Sequence, residues 1–341
     1  MNKITVLMNT WSCAFDCRGG GEVQLLKYEQ YLEDLGVKVL RYDVWNPSLQ
    51  FNVADIVHYF SVQGGSWRFL DYVRNVKRIP LVISPIVWID KKENYYLDEI
   101  KFMLNLADKV LPNSHAECAQ LSKLLDINGE RFATIVNGVD EIFFEPVDSS
   151  IFRNKFNLHD PFVLCVGNIE ERKNQLRLIR AIEHTNIHLV IAGNIRDAEY
   201  ARKCFASANR YVHFVGYLPY GSLLQRSAYA AADVFCLPSY LETPGLAAIE
   251  AAALGSRLVL TNVGCTEEYF GDRAIYCDPY NIQSIRDAIQ IALHKIKDAD
   301  LSYYIRDRYT WKHAAVQLIN VYKTILGDSI CHNMSSTGEK D

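Results

Sequence analysis

Two glutamates separated by seven residues, Glu242 and Glu250, frame the segment Thr243-Pro244-Gly245-Leu246. This segment follows the apolar run 233–238 and leads into the alanine-rich stretch 247–253. Thr243 suits a helix cap, Pro244 the first helical turn and Gly255 the stop. A helix bounded this way directs its unpaired first-turn amides at whatever lies before it, and those amides attract an anion. Leu246 and Glu250 are four apart, hence on one face, and side chains lean toward the amino end, so Glu250 reaches back toward the same ligand. The plainer reading makes Glu242 a dipole-stabilising acid and Glu250 half of a surface salt bridge.

A second constellation follows the apolar run 162–167. It reads Gly167-Asn168-Ile169-Glu170-Glu171-Arg172-Lys173-Asn174 and opens a helical pattern over 172–184. Two adjacent cations beside helix amides could hold a diphosphate. Solvated charges in a first helical turn are the alternative, although cations there oppose the helix dipole.

The elements that must position these residues follow from periodicity. Short apolar runs at 4–8, 37–42, 55–60, 81–84 and 109–111 read as strands, and so do those at 162–167, 188–193, 212–216, 233–238 and 257–262. Between them lie helical patterns, as in 22–35, where Leu25, Tyr28, Leu32 and Leu35 recur at helical spacing. Further helices are expected near 198–208, 220–231, 245–254, 282–296 and 311–326. The alternation implies βαβ units and parallel sheets covered on both faces. The polar stretch 145–150, which contains Pro146, marks a break after which the series restarts. The architecture expected is α/β, with two doubly wound domains facing a cleft. Residues 1–147 form the first and 148–310 the second; a helix at 311–326 packs back toward the first, and 327–341 is a polar tail.

Composition narrows the partners. Residues 1–150 hold 15 basic and 20 acidic residues, and the remainder 21 and 20. An acidic front half and a near-neutral back half argue against nucleic acid and against a broad basic membrane face. No apolar run approaches the roughly 20 residues of a membrane span, and the first residues do not fit a signal peptide. Nine cysteines with no C-x-x-C pair, the closest being Cys13 and Cys17, fit reduced cytosolic thiols. A cytoplasmic protein is expected, with the inner face of the membrane as an alternative station. Membrane contact is at most peripheral, through Lys91, Lys92, Tyr95 and Tyr96. Four of the five tryptophans (Trp11, Trp45, Trp67 and Trp88) lie in the front half, where aromatic faces could stack on a sugar or simply fill the core. Asp298-Ala299-Asp300, the one D-x-D, falls between two helical patterns and reads as a solvated connection, so no metal site is expected.

With these motifs in place, the chain resembles the retaining GT-B glycosyltransferases of family 4, whose signature is E-x7-E. Further matches occur in the family's order: Gly19-Gly20-Gly21-Glu22, Ala107 to Ser114, Val136-Asn137-Gly138-Val139-Asp140, Arg172-Lys173-Asn174, Gly216, and Gly264 with Glu268. The likeness spans roughly residues 1–326. It implies that Arg172 and Lys173 neutralise the donor diphosphate and that Gly20 and Gly21 admit the sugar phosphate from the other domain. Amides of Gly245 and Leu246 would assist the leaving group, Glu250 would accept from ribose hydroxyls, Glu242 would lie at the transferred sugar, and Tyr217 would lie near the base.

Two departures stand out. No histidine follows the strand at 81–84, where many relatives carry one against the donor sugar; the stretch reads Ser84-Pro85-Ile86-Val87-Trp88, leaving Ser84 and Trp88 as acceptor-side candidates. His58 and His115, the nearby histidines in sequence, are not assigned. Asn168 stands where relatives often place an arginine. The resemblance implies transfer of a sugar from a nucleotide sugar to a hydroxyl of a glycan or lipid-linked acceptor, in surface polysaccharide assembly. It implies no cofactor and no metal, and leaves the oligomeric state open. A sugar-nucleotide 2-epimerase and a catalytically silent GT-B binding subunit are the rival readings.

Overall fold

Every strand pairing among the described residues is parallel. The computed structural model describes residues 3–16, 19–62, 65–298 and 300–336. The chain divides into two units: residues 1–137 together with those from 311 onward, and residues 138–310.

The first unit runs β1 (Thr5–Thr10), α1 (Gly20–Asp34), β2 (Lys38–Arg41), α2 (Pro47–Val53), β3 (Ile56–Phe60), α3 (Trp67–Asp71), β4 (Leu81–Ser84), α4 (Leu97–Leu106), β5 (Lys109–Val110) and α5 (His115–Leu125). Its sheet order is β2-β1-β3-β4-β5. All five β3 residues and all four β4 residues are buried, as strands covered on both faces must be.

The second unit runs α6 (Ser150–Phe156), β6 (Phe162–Val166), α7 (Gln175–Ala181), β7 (His188–Ala192), α8 (Ala198–Ser207), β8 (Val212–Gly216), α9 (Leu223–Ala231) and β9 (Val234–Leu237). It continues with α10 (Leu246–Ala253), β10 (Arg257–Thr261), α11 (Thr266–Phe270), β11 (Ala274–Cys277), α12 (Ile282–His294) and α13 (Leu301–Arg308). The order β11-β10-β9-β6-β7-β8 reverses direction between β6 and β9. In such sheets ligands sit beyond the strands' carboxyl ends at this switch point. The loops that follow β6 and β9 carry Arg172-Lys173 and Glu242.

The structure departs from the sequence reading in four places. The units divide after Asn137, ten residues before the expected break, because residues 138–147 pack on the second unit. Phe143 is buried against Tyr220 and Tyr229, at ring-centroid distances of 5.6 and 6.2 Å. Arg226 donates to the Ile142 carbonyl at 3.1 Å, and the Val139 amide donates to the Tyr309 carbonyl at 2.9 Å. Secondly, α14 spans Trp311–Ser336, ten residues past the expected end. It belongs to the first unit, where Trp311 meets Tyr28 edge-on at 5.8 Å.

Thirdly, β11 carries no long apolar run. It is a four-residue edge strand whose Ile275 and Tyr276 are only half-buried. Fourthly, α7 starts at Gln175, so Arg172 and Lys173 occupy a separate 3-10 turn, Glu171–Lys173. Asn174 breaks the two apart in the left-handed region, at φ 60°. No helix among the described residues is long and apolar enough to cross a membrane.

Candidate functional site

Three of the predicted residues meet at the switch point. The Lys173 Nζ lies 2.6 Å from Glu242 Oε1, and Arg172 Nη1 lies 3.8 Å from the same oxygen. The Arg172 guanidinium also donates to the Leu241 carbonyl at 3.0 Å, and the Tyr240 amide donates back to the Arg172 carbonyl at 2.9 Å. The loops after β6 and β9 are thus fastened to each other through both side chain and backbone.

Glu242 is buried, and its neighbours decide its charge. Burial raises its pKa, but Lys173 and then Arg172 oppose that, and the carboxyl ends below its ordinary value. It stays ionised at neutral pH in a place where an unpaired carboxylate would not.

Backbone fixes its position as well. The Glu242 amide donates to the Val263 carbonyl at 3.2 Å, and the Cys265 amide donates to the Glu242 carbonyl at 3.1 Å. A Cβ on Gly264 would sit 2.1 Å from the Glu242 carbonyl oxygen, and Gly264 has φ +107°, so only glycine fits there. Gly245, at φ +87°, brings the start of α10 under the carboxylate; a Cβ there would meet Glu242 Oε2 at 3.0 Å. Gly245 itself is the residue before the first turn of α10. Thr243 and Pro244 precede it, so neither is the cap or the first helical residue expected. Gly255 does follow the helix end, with φ +74°.

Glu250 is not a surface salt bridge. It is buried on α10, and its Oε2 accepts from the Tyr229 hydroxyl at 2.6 Å and from Gln225 Nε2 at 3.4 Å. Burial, reinforced by the Glu250 charge, pushes the Tyr229 hydroxyl well above its ordinary pKa, so it remains a donor. Tyr217 is exposed, just past β8 and two strands from β6. At about 4.8 Å per strand this puts it on the order of 10 Å along the same sheet edge, outside the Lys173–Glu242 cluster.

The first-unit candidates are arranged differently. Gly20 and Gly21 open α1, whose Glu22 carboxylate accepts from the Gly19 amide at 2.6 Å. Gly21 has a packing reason to lack a side chain, since a Cβ would stand 3.2 Å from Ile86 Cγ2. Ser84, expected to face a sugar, is buried, and its Oγ hydrogen-bonds His58 Nε2 at 2.9 Å. The other His58 nitrogen meets the Tyr322 hydroxyl at 2.6 Å. Trp88 is half-buried, and its carbonyl accepts from the Tyr95 hydroxyl. Of the D-x-D, Asp298 lies 3.7 Å from Arg273, its Oδ1 accepts from the Asp300 amide, and Ala299 lies outside the described residues.

Two residues of this site have partners that the sequence did not indicate. Asn174, fully buried, donates from Nδ2 to the carbonyls of Pro238 and Pro279, both at 2.8 Å. It ties the loop carrying Lys173 to the ends of β9 and β11. Arg196, in the loop after β7, reaches Glu170. Both contacts are long-range, and only the sheet order brings the partners together.

This arrangement defines a doubly wound α/β unit with paired charges at its switch point. Residues 147–308, most of the second unit, match the family described as "Glycosyl transferases group 1". An uncharacterized glycosyltransferase of Methanocaldococcus jannaschii is 30% identical over 189 residues, covering 50% of this chain and 47% of the relative. The D-inositol 3-phosphate glycosyltransferase of Corynebacterium aurimucosum is 25% identical over 262 residues, 69% of this chain and 62% of the relative. The O-antigen chain mannosyltransferase B of Escherichia coli is 24% identical over 257 residues, 70% of this chain and 64% of the relative. The chain thus spans between about half and just under two thirds of these relatives' lengths.

Among solved structures, sucrose-phosphate synthase from Thermosynechococcus elongatus superposes with a TM-score of 0.78 at 18% identity, covering 96% of this chain and 100% of that one. Anabaena HepE in complex with UDP and glucose gives 0.74 at 16% identity, covering 94% and 100%. The fold class is GT-B, built from two parallel-sheet α/β units.

Proposed function

We propose that the chain is a retaining, nucleotide-sugar-dependent glycosyltransferase that works without a metal ion and delivers its sugar to a hydroxyl of a glycan or lipid-linked acceptor. The observation that carries this reading is the ionised Glu242 held by Lys173 and Arg172 where the sheet order reverses. Losing a nucleoside diphosphate is the hard step, and fixed positive charge at its β-phosphate lowers the barrier. Lys173 suits this because an ammonium has three donors: one can stay on Glu242 while another takes a phosphate oxygen. Arg172 offers a second, half-exposed cation beside it. First-turn amides at Gly245 and Leu246 add partial positive charge. Glu242 stands beside that anion, where it would meet the sugar, and Glu250 keeps a buried carboxylate one helical turn further for ribose hydroxyls. Gly20, Gly21 and Tyr217 keep the donor-side roles that the resemblance implies.

The mannosyltransferase relative, named for the O-antigen chain, supports surface polysaccharide assembly as the setting. A cytoplasmic enzyme is the matching location. The test is a thermal-shift screen against UDP-, GDP- and ADP-sugars in excess EDTA, since a bound donor raises stability by mass action. One donor class is expected to raise Tm, and incubation with that donor alone should leave it unepimerised. No shift with any donor would refute the reading.

A further inference from the structure

The charges around Lys173 do not by themselves favour an anion. Arg172 and Lys173 are faced by two carboxylates, Glu170 at 3.2 Å from Arg172 and Glu242 at 2.6 Å from Lys173, so the four cancel. Arg172 is moreover held by Glu170, whose side chain is only 14% exposed. To turn toward a diphosphate it must leave that carboxylate behind, and a nearly buried carboxylate without a partner is costly.

Arg196 answers both difficulties. The loop after β7 runs alongside the loop after β6: the Ile169 amide donates to the Asn194 carbonyl at 2.8 Å, and the Arg196 amide donates to the Ile169 carbonyl at 3.2 Å. Their approach is close enough that a Cβ on Gly193 would stand 1.9 Å from the Gly167 carbonyl oxygen. Arg196 Nη1 thereby reaches Glu170 Oε2 at 3.3 Å, while Arg172 holds Oε1. One carboxylate bridges two guanidiniums. The next residue, Asp197, is engaged elsewhere, accepting from the Glu199 and Tyr200 amides at the start of α8.

We infer that Arg196 is a positioning residue for the donor diphosphate: it holds Glu170 when Arg172 swings to the phosphate, and it adds a third cation beside Arg172 and Lys173. This rests on the proposed donor site.

The experiment is calorimetric titration, in EDTA, with whichever of UDP, GDP or ADP raises the wild-type Tm most. Arg196→Ala is expected to weaken binding about tenfold, and Arg196→Lys to recover part of the loss. Glu170→Gln in the Arg196→Ala background should restore affinity to within about threefold of wild type, because Arg172 no longer leaves a charge behind. A residue that merely supports the loop would not be rescued in this way. Glu170→Gln alone, which tests the same point should Arg196→Ala not fold, is expected to bind at least as tightly as wild type. Wild-type binding with an unchanged Arg196→Ala affinity, or a loss that Glu170→Gln fails to rescue, would overturn the inference and leave the donor site standing. Absence of wild-type binding would remove the donor site and the inference together.

Discussion

His58 and Glu242 are both buried titratable side chains in or beside a parallel strand, yet their surroundings treat charge in opposite ways. His58 lies between Ser84 and Tyr322, stacked on Phe60 at 4.1 Å, with no carboxylate among its ring partners in the described residues. Burial pushes its pKa down to about 3, so it is neutral and serves to join β3, β4 and α14. Glu242 is as deeply buried but sits against Lys173 and Arg172, and its charge survives. The first environment is built for packing. The second retains a buried ion pair at a strand end, which packing alone does not call for, since an apolar cluster of the same volume would serve stability as well.

If that contrast is right, neutralising Glu242 should cost activity far more than fold. Glu242→Gln is expected to lower kcat by about a hundredfold or more with only a small change in KM for the donor. Steady-state kinetics on the purified variant decides it, and wild-type kcat would return Glu242 to a structural role.

Glu250 calls for two variants. Glu250→Ala leaves the buried Tyr229 hydroxyl without its acceptor and should cost about 1–3 kcal/mol of stability, read in denaturant unfolding. Glu250→Gln keeps an acceptor for Tyr229, so it should retain most stability while still weakening nucleoside diphosphate binding. Equal affinity in wild type and Glu250→Gln would confine Glu250 to holding Tyr229.

The two environments also predict different acid behaviour. His58 has a lowered folded pKa, so the unfolded chain takes up a proton from about pH 6.5 downward while the native first unit does not. Its share of stability is therefore lost progressively between about pH 6.5 and 3, by up to about 1.4 kcal/mol per pH unit. Glu242, also lowered, begins to cost stability only below the ordinary glutamate range near 4.5. Unfolding curves from pH 7 to 5 should fall less steeply for His58→Gln than for wild type, and identical slopes would place the titration elsewhere.

The sequence was most legible where periodicity is strong. Ten strand runs and the restart of the βα series are present in the structure, and the E-x7-E spacing led to the Glu242 loop. What it could not supply was environment. The plainer reading of Glu250 as a surface acid fails because its partner Tyr229 is on another helix, 21 residues away. Ser84 looked available because its partner His58 lies on the neighbouring strand. Asn174 stood in the Arg172-Lys173-Asn174 motif, but its anchoring role was hidden because its two acceptors, Pro238 and Pro279, are 64 and 105 residues distant. The boundary at Asn137 was missed for the same reason: Phe143 belongs to the second unit through rings 77 and 86 residues further on.

The most direct test of the central claim is nucleoside diphosphate affinity, measured in excess EDTA, for wild type, for Arg172→Ala with Lys173→Ala, and for Asp298→Ala with Asp300→Ala. Fixed side-chain cations predict full wild-type binding without metal, a loss of at least about a hundredfold in the first variant, and little change in the second. Binding that disappears in EDTA and returns with Mn²⁺, or that survives removal of both cations, would contradict the account.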